Sequence, residues 1–103
     1  MTLKLNPEPT FKATARIPVP GGESEPITFT FEHRTAKQIA TFTEECRGKS
    51  DLEVMKSFVV GWALDDAFND ENLARLIENY PGATGAIIDA YYGELTNVRR
   101  PSV

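Results

Sequence analysis

Two short stretches near the N-terminus alternate between apolar and polar side chains, and this pattern most constrains the fold. In FKATARI and ITFTFE the apolar positions are Phe11, Ala13, Ala15, Ile17, Ile27, Phe29 and Phe31. A period of two places each apolar set on one face of a β-strand. The connection PVPGGESEP is too rich in Pro and Gly to continue either strand. The sequence therefore predicts an antiparallel hairpin whose apolar face is covered by other elements, because two strands alone are marginally stable in water.

The remainder of the chain has the spacing and capping signals of about four helices. Thr35 followed by Gln38 and Ser50 followed by Glu53 are two capping-box patterns that mark helix starts. After Ser50 we expect one helix to run as far as Trp62, because its apolar residues recur at helical spacing: Leu52, Met55, Phe58, Val59 and Trp62.

Two further helices are predicted in the C-terminal half. One runs from Asp70 to about Tyr80, and Pro81 suits the first turn of the next. That last helix carries Ile87, Ile88, Tyr91 and Leu95. The predicted fold class is α+β, an N-terminal antiparallel β-hairpin followed by about four α-helices. We expect a single domain over residues 1–95 and a flexible tail over residues 96–103.

Charge and composition narrow the classes of partner. The 103 residues carry a net charge of −4, and residues 57–103 hold the whole excess of acidic over basic side chains. An acidic half of this kind argues against nucleic acid, which needs clustered Lys and Arg. The lone Cys46 cannot form an internal disulfide. With no signal-like or membrane-spanning apolar run, the expected location is the cytoplasm, without a membrane partner.

The acidic stretch GWALDDAFNDENLARL raises the question of a metal or a carboxylate pair. Starting an EF-hand loop at Asp65 or at Asp66 puts apolar residues at its third position, so both registers fail. Asn69 is better interpreted as a helix N-cap, with acidic residues following in the first turn. Asp65 and Asp66 are adjacent in a polar connection, where both carboxylates are expected to be solvated rather than to work as an acid/base pair.

The other reactive side chains give no catalytic pattern. His33 has no second histidine with which to share a metal and no recognisable serine or cysteine nucleophile. Cys46 lies on the predicted inner face of its helix, where a thiol usually acts as a small apolar group. The glycine-rich segments lack the spacing of a phosphate-binding loop. The sequence thus predicts a protein that acts by contact, without enzymatic activity, metal or cofactor.

Two groups of residues are candidates for such contacts. The helical half carries more large aromatic side chains than one small core is expected to hide, and the predicted partner-binding residues are Phe58, Trp62, Phe68, Tyr91 and Tyr92. A hairpin also leaves open strand edges that can pair with another copy. The predicted self-association residues are those of the first strand, Phe11, Ala13, Ala15 and Ile17.

Several segments together resemble a known family. The segments NPEPTFKA, IPVPG, FEHRT and ENYPGA, in this order, resemble the tail assembly chaperones of long-tailed, lambda-like (siphovirus) bacteriophages, over about residues 5–96. The resemblance implies a homo-oligomer in the bacterial host cytoplasm that coats the tape measure protein during tail assembly and is absent from the mature virion. It also implies that this chain is the shorter product, and that a longer product of ribosomal frameshifting recruits the tail tube protein. A small-molecule-binding or regulatory interaction module remains the alternative from the residues alone.

Overall fold

The computed structural model describes residues 3–96, which form one three-stranded sheet and four helices. The elements are β1 (Thr10–Ile17), β2 (Glu25–Glu32), α1 (Ala36–Glu45), α2 (Asp51–Lys56), β3 (Val59–Trp62), α3 (Asp70–Asn79) and α4 (Ala83–Thr96). The predicted α+β class is confirmed. Thr96 is the last residue of α4, and the rest of the predicted tail, residues 97–103, lies outside the described residues.

The hairpin has the predicted pairing. β1 and β2 are antiparallel, with Ala13 opposite Phe29 and Thr14 opposite Thr28. The apolar members of both strands therefore share one face, which the helices cover. The polar members share the opposite face, where the Thr14 and Thr28 hydroxyls lie 3.2 Å apart. Gly21 has a φ of 78°, a conformation that favours glycine, and it allows the chain to turn between the strands.

The prediction of one helix from Ser50 to Trp62 is wrong, because α2 ends at Lys56 and a third strand follows. Val59 and Trp62 pair with the free edge of β2, opposite Phe31 and Phe29 respectively, and Val60 of β3 forms a bulge opposite the step from Thr30 to Phe31. Edge pairing satisfies the backbone groups of β2, and the β-branched Val59 and Val60 favour a strand. Here the tertiary pairing overrides a spacing that is equally compatible with a helix.

The capping boxes are both formed as predicted. The Thr35 side chain accepts from the Gln38 backbone N–H, and the Ser50 side chain accepts from the Glu53 backbone N–H. In return, the Thr35 and Ser50 backbone N–H groups donate to the side-chain oxygens of Gln38 and Glu53. The Asn69 side chain caps α3 by accepting from the backbone N–H of Asn72. None of the helices within residues 3–96 is long and apolar enough to cross a bilayer.

The core is an aromatic cluster centred on Tyr91 of α4. Its ring lies 4.5 Å from that of Phe58 and 5.2 Å from that of Phe31, measured between centroids. Phe11 and Phe42 contribute two more rings, at 6.0 and 6.1 Å. Pairs at these distances add stability beyond the area that they bury. The cluster joins both strands of the hairpin to α1, α4 and the segment after α2, so it fixes how the helical layer lies on the sheet.

Candidate partner-binding groove

A groove opens on one end of the sheet, between the hairpin connection, the end of β3 and α3. Its volume is about 480 Å³. Its floor is apolar and is made by Ile17, Ile27, Trp62, Leu76 and Tyr80. Its rim is polar and includes Glu25, Asp66, Asn72, Arg75 and Asn79. An apolar floor with a few polar groups around it is the usual construction of a binding site.

Trp62 is held in the groove by the acidic loop that follows it. Because it pairs opposite Phe29, the indole lies on the covered face of the sheet. Its Nε1 donates a hydrogen bond to the Asp66 carbonyl oxygen at 2.8 Å. The Phe68 ring packs edge-on against the indole, with centroids 5.1 Å apart. The loop therefore fixes the orientation of a tryptophan that stays partly exposed, which reduces the entropy lost when a partner binds.

The opposite wall of the groove is α3, which is anchored at its first turn. The Asn69 side chain accepts from the Asn72 backbone N–H, and the Asn72 side-chain amide donates to the Ala67 carbonyl, both at 2.8 Å. Arg75 lies one turn further on and donates to the Asn72 side-chain oxygen at 3.1 Å. The acidic loop thus joins Trp62 to α3. The structure supports the N-cap interpretation of Asn69.

The side chains that line the groove are apolar, aromatic, amide or charged. Within residues 3–96, no three side chains of His, Cys, Asp or Glu come close enough together to hold a metal ion. The rim offers both signs of charge, with Glu25 and Asp66 on one wall and Arg75 on the other. A charged rim around an apolar floor selects the orientation of a bound segment more than it adds affinity.

The predicted partner-binding residues fall into two groups. Phe58 and Tyr91 have 0% exposed surface and form the centre of the core, so their side chains offer nothing to a partner in this fold. Trp62, Phe68 and Tyr92 are partly exposed. Of these, Trp62 and Phe68 lie together, but Tyr92 packs on α1 instead, where its hydroxyl lies 3.2 Å from that of Thr43. Trp62 lines the groove, whereas Phe68 packs against the indole without lining it. Leu64 and Tyr80 line the groove too, and sequence reasoning missed both as partner-binding residues.

The predicted self-association residues of β1 also point inward. Ala13, Ala15 and Ile17 are buried against the helices, and Phe11 is partly buried. What β1 exposes is its backbone edge. The Thr28 carbonyl accepts a hydrogen bond from the Ala63 backbone N–H, so the backbone N–H and C=O of Thr28 point toward β3. Thr14 of β1 lies opposite Thr28. The backbone N–H and C=O of Thr14 therefore point away from β2, toward the free edge of the sheet.

A polar network ties the core to the end of the hairpin. The Tyr91 hydroxyl donates to the Glu32 carbonyl at 2.7 Å and accepts from Arg34 Nη1 at 3.0 Å. Arg34 Nη2 donates to the Ser57 carbonyl at 2.9 Å, and the guanidinium lies 4.1 Å from the centre of the Phe42 ring. Burial raises the pKa of Tyr91 above its usual 10.0, although the Arg34 hydrogen bond acts in the opposite direction. None of these residues lines the groove, and the network joins the end of β2 to α4 and to the segment after α2.

Comparison with known proteins identifies the family. A family model described as phage tail assembly chaperone matches residues 1–101. The chain belongs to this family. No curated protein and no solved structure matches it significantly. The expected resemblance is thereby confirmed, and membership of a chaperone family indicates a non-enzymatic role in the assembly of phage tails.

Proposed function

We propose that this chaperone coats the tape measure protein in the cytoplasm of the bacterial host while the tail of a siphovirus is assembled. In this role it associates with further copies of itself and keeps the long helical client soluble. It leaves before the virion is complete. Recruitment of tail tube subunits falls to a longer frameshifted product. The family match and the groove at Trp62 support the proposal.

The groove fits an amphipathic helix better than it fits a compact small molecule. It is open to solvent along one side and is bounded by α3 on one wall and by strand ends on the other. Helix-in-groove recognition uses apolar side chains on one helical face as anchors. In this arrangement the indole of Trp62 and the Leu64 side chain contact the apolar stripe of the client, while Arg75 pairs with an acidic flank.

Reversible coating requires each contact to be weak. A groove formed by about a dozen side chains on a domain of 11.4 kDa gives a small interface. Many copies along one client would still cover it, because neighbouring copies raise the effective concentration of the next binding event. A weak single contact also lets tube subunits displace the chaperone one copy at a time.

The experiment measures binding of recombinant tape measure fragments to folded variants of the chaperone. Trp62→Ala and Leu64→Ser remove apolar surface from the groove, and each is expected to weaken binding at least about tenfold if the residue is an interface anchor. Val60→Ser is the matched control. Val60 lies in β3 together with Trp62 and is 47% exposed, but it does not line the groove.

The results distinguish specific binding at the groove from nonspecific binding by exposed apolar surface. Circular dichroism and urea unfolding first establish that each variant is folded. Equal binding by the wild type, Trp62→Ala and Leu64→Ser would refute the groove as the client site. Loss of binding in Val60→Ser to the same extent would show that the apolar surface acts without specificity.

A further inference from the structure

The N-terminal segment before β1 carries the most exposed large apolar side chains in the described part of the chain. Leu3 is 85% and Leu5 90% exposed. They flank Lys4, whose ion pair with Glu8 at 3.0 Å is itself largely exposed and therefore weak. The segment from Leu3 to Pro9 is called the arm below. Two leucines exposed to solvent on a small domain indicate a surface that is buried when the protein binds a partner.

Two prolines limit the conformations of the arm, which bends at Leu5, Asn6 and Pro9. Pro7 and Pro9 restrict their own backbone and that of the residues before them, Asn6 and Glu8. A segment with few accessible conformations in the free protein loses less conformational entropy when it is bound. When the arm binds in an extended conformation, Leu3 and Leu5 lie on the same side, because successive side chains alternate.

The groove has apolar side chains and carboxylates that complement the leucines and the lysine of the arm. It presents apolar side chains, of which Leu64 is 36% exposed, and its rim carries Glu25 and Asp66 within the same opening. Leu3 and Leu5 match this floor, and Lys4 between them matches the two carboxylates of the rim. The charge complementarity would orient the arm and suppress the reversed binding direction.

The arm cannot fill the groove of its own chain. It leaves β1 at Thr10, whereas the groove lies at the other end of the strand, at Ile17. The seven residue steps of the strand span roughly 24 Å. Leu5 is five residues from Thr10 and reaches at most about 18 Å. Because Leu5 does not reach the groove of its own chain, the two leucines together can be bound only in the groove of a second copy.

We propose that the arm of one copy occupies the groove of the next and is displaced when a client helix enters. Since the donor and the acceptor lie at opposite ends of β1, the contact is head-to-tail and generates rings or open chains of copies. Displacement by client rests on the function proposed above, but docking of the arm does not. Stored chaperone would thus hide its own apolar groove until a client competes for it.

The first test uses Trp62, the only tryptophan of the chain, as a reporter in the groove. The Leu3→Ser/Leu5→Ser variant is compared with the wild type by sedimentation velocity and by tryptophan emission over a dilution series. We expect the wild type to dissociate on dilution with a red shift of its emission. The variant should stay monomeric and red-shifted throughout, and Val60→Ser should behave like the wild type.

The second test adds the arm as a peptide. A peptide of residues 3–9 should shift the emission of the Leu3→Ser/Leu5→Ser variant to the blue in a saturable way. The same peptide with serine at both leucine positions should not. A peptide with Lys4→Glu should bind more weakly, with a difference that shrinks in high salt.

The refuting results are distinct from those for the client site. Assembly that survives in Leu3→Ser/Leu5→Ser but is lost in Thr14→Pro would assign self-association to the β1 edge and overturn the arm contact. Absence of any peptide-induced shift would overturn it as well. Where nine-tenths of the grooves hold an arm, removing the arm should strengthen apparent client affinity about tenfold. Unchanged client affinity would overturn the displacement step, whereas failure of every variant to bind client would count against the proposed function.

Discussion

The hydroxyl group of Tyr91 is expected to stabilise the fold without contributing to partner binding, and Tyr91→Phe tests this directly. The substitution keeps the aromatic ring, which contacts Phe58 and Phe31 in the core. It removes only the oxygen that donates to the Glu32 carbonyl and accepts from Arg34. No cavity is created beyond that one atom, so the change measures the polar network rather than packing.

The magnitude follows from the two bonds that are lost. The bond to the Glu32 carbonyl is between neutral groups, and such bonds contribute about 0.5–1.5 kcal/mol, whereas a bond to a charged group contributes about 1.5–3 kcal/mol. Arg34 is only partly buried, so water recovers part of the second contribution. We therefore expect a loss of about 2 kcal/mol in the free energy of unfolding. For a domain of this size that corresponds to a fall in Tm of roughly 10 °C.

The assay is urea unfolding followed by circular dichroism, with Tyr92→Phe as the matched control. Tyr92 is the next residue, and its hydroxyl makes an exposed contact with Thr43 at 3.2 Å. Removing it should change stability by less than about 0.5 kcal/mol. Equal effects of the two substitutions would refute the structural role of the Tyr91 hydroxyl. A Tyr91→Phe variant that is folded but fails to bind client would refute its separation from the groove.

Two further predictions concern pH and helix capping. The pKa of Tyr91 is raised in the folded protein, so above about pH 10 the unfolded chain loses this hydroxyl proton more readily than the folded chain does. The contribution of this group to the free energy of unfolding is therefore present below that pH and is lost as the pH rises further. In urea unfolding between about pH 8 and about pH 11, the wild type should lose stability more steeply than Tyr91→Phe, and parallel curves would contradict the shift. Thr35→Ala removes the N-cap of α1 and should cost about 1 kcal/mol in urea unfolding. Thr41→Ala, an exposed mid-helix change, should be close to neutral, and an equally small effect at Thr35 would rule out a stabilising cap.

The elements with strong local signals could be predicted from the sequence. The strict alternation in β1 and β2 and the capping residues Thr35, Ser50 and Asn69 each act within a few residues, and all are formed as expected. β3 could not be predicted in this way. Its four residues gain their stability from pairing with β2, a contact that lies far away in the sequence, and their apolar spacing fits a helix equally well.

The groove was harder to predict than the fold for a related physical reason. Aromatic side chains suit both a core and an interface, and only tertiary packing separates them. Phe58 and Tyr91 are fully buried, whereas Trp62, which follows Phe58 closely in the sequence, remains partly exposed. The acidic loop did not reveal its role either, because the Asp66 group that holds the indole is its backbone carbonyl and not its carboxylate.

This division of the aromatic residues has a consequence for how the chaperone works. The rings that hold the helical layer on the sheet gather around Tyr91, while Phe68 packs against Trp62, which lines the groove. A residue that both held the core and bound a client would tie release of the client to partial unfolding. Because Trp62 is oriented by its own loop, the proposed binding and release of a client at the groove would leave the core intact. The weak, repeated contacts proposed for the client would then need no conformational change in the chaperone itself.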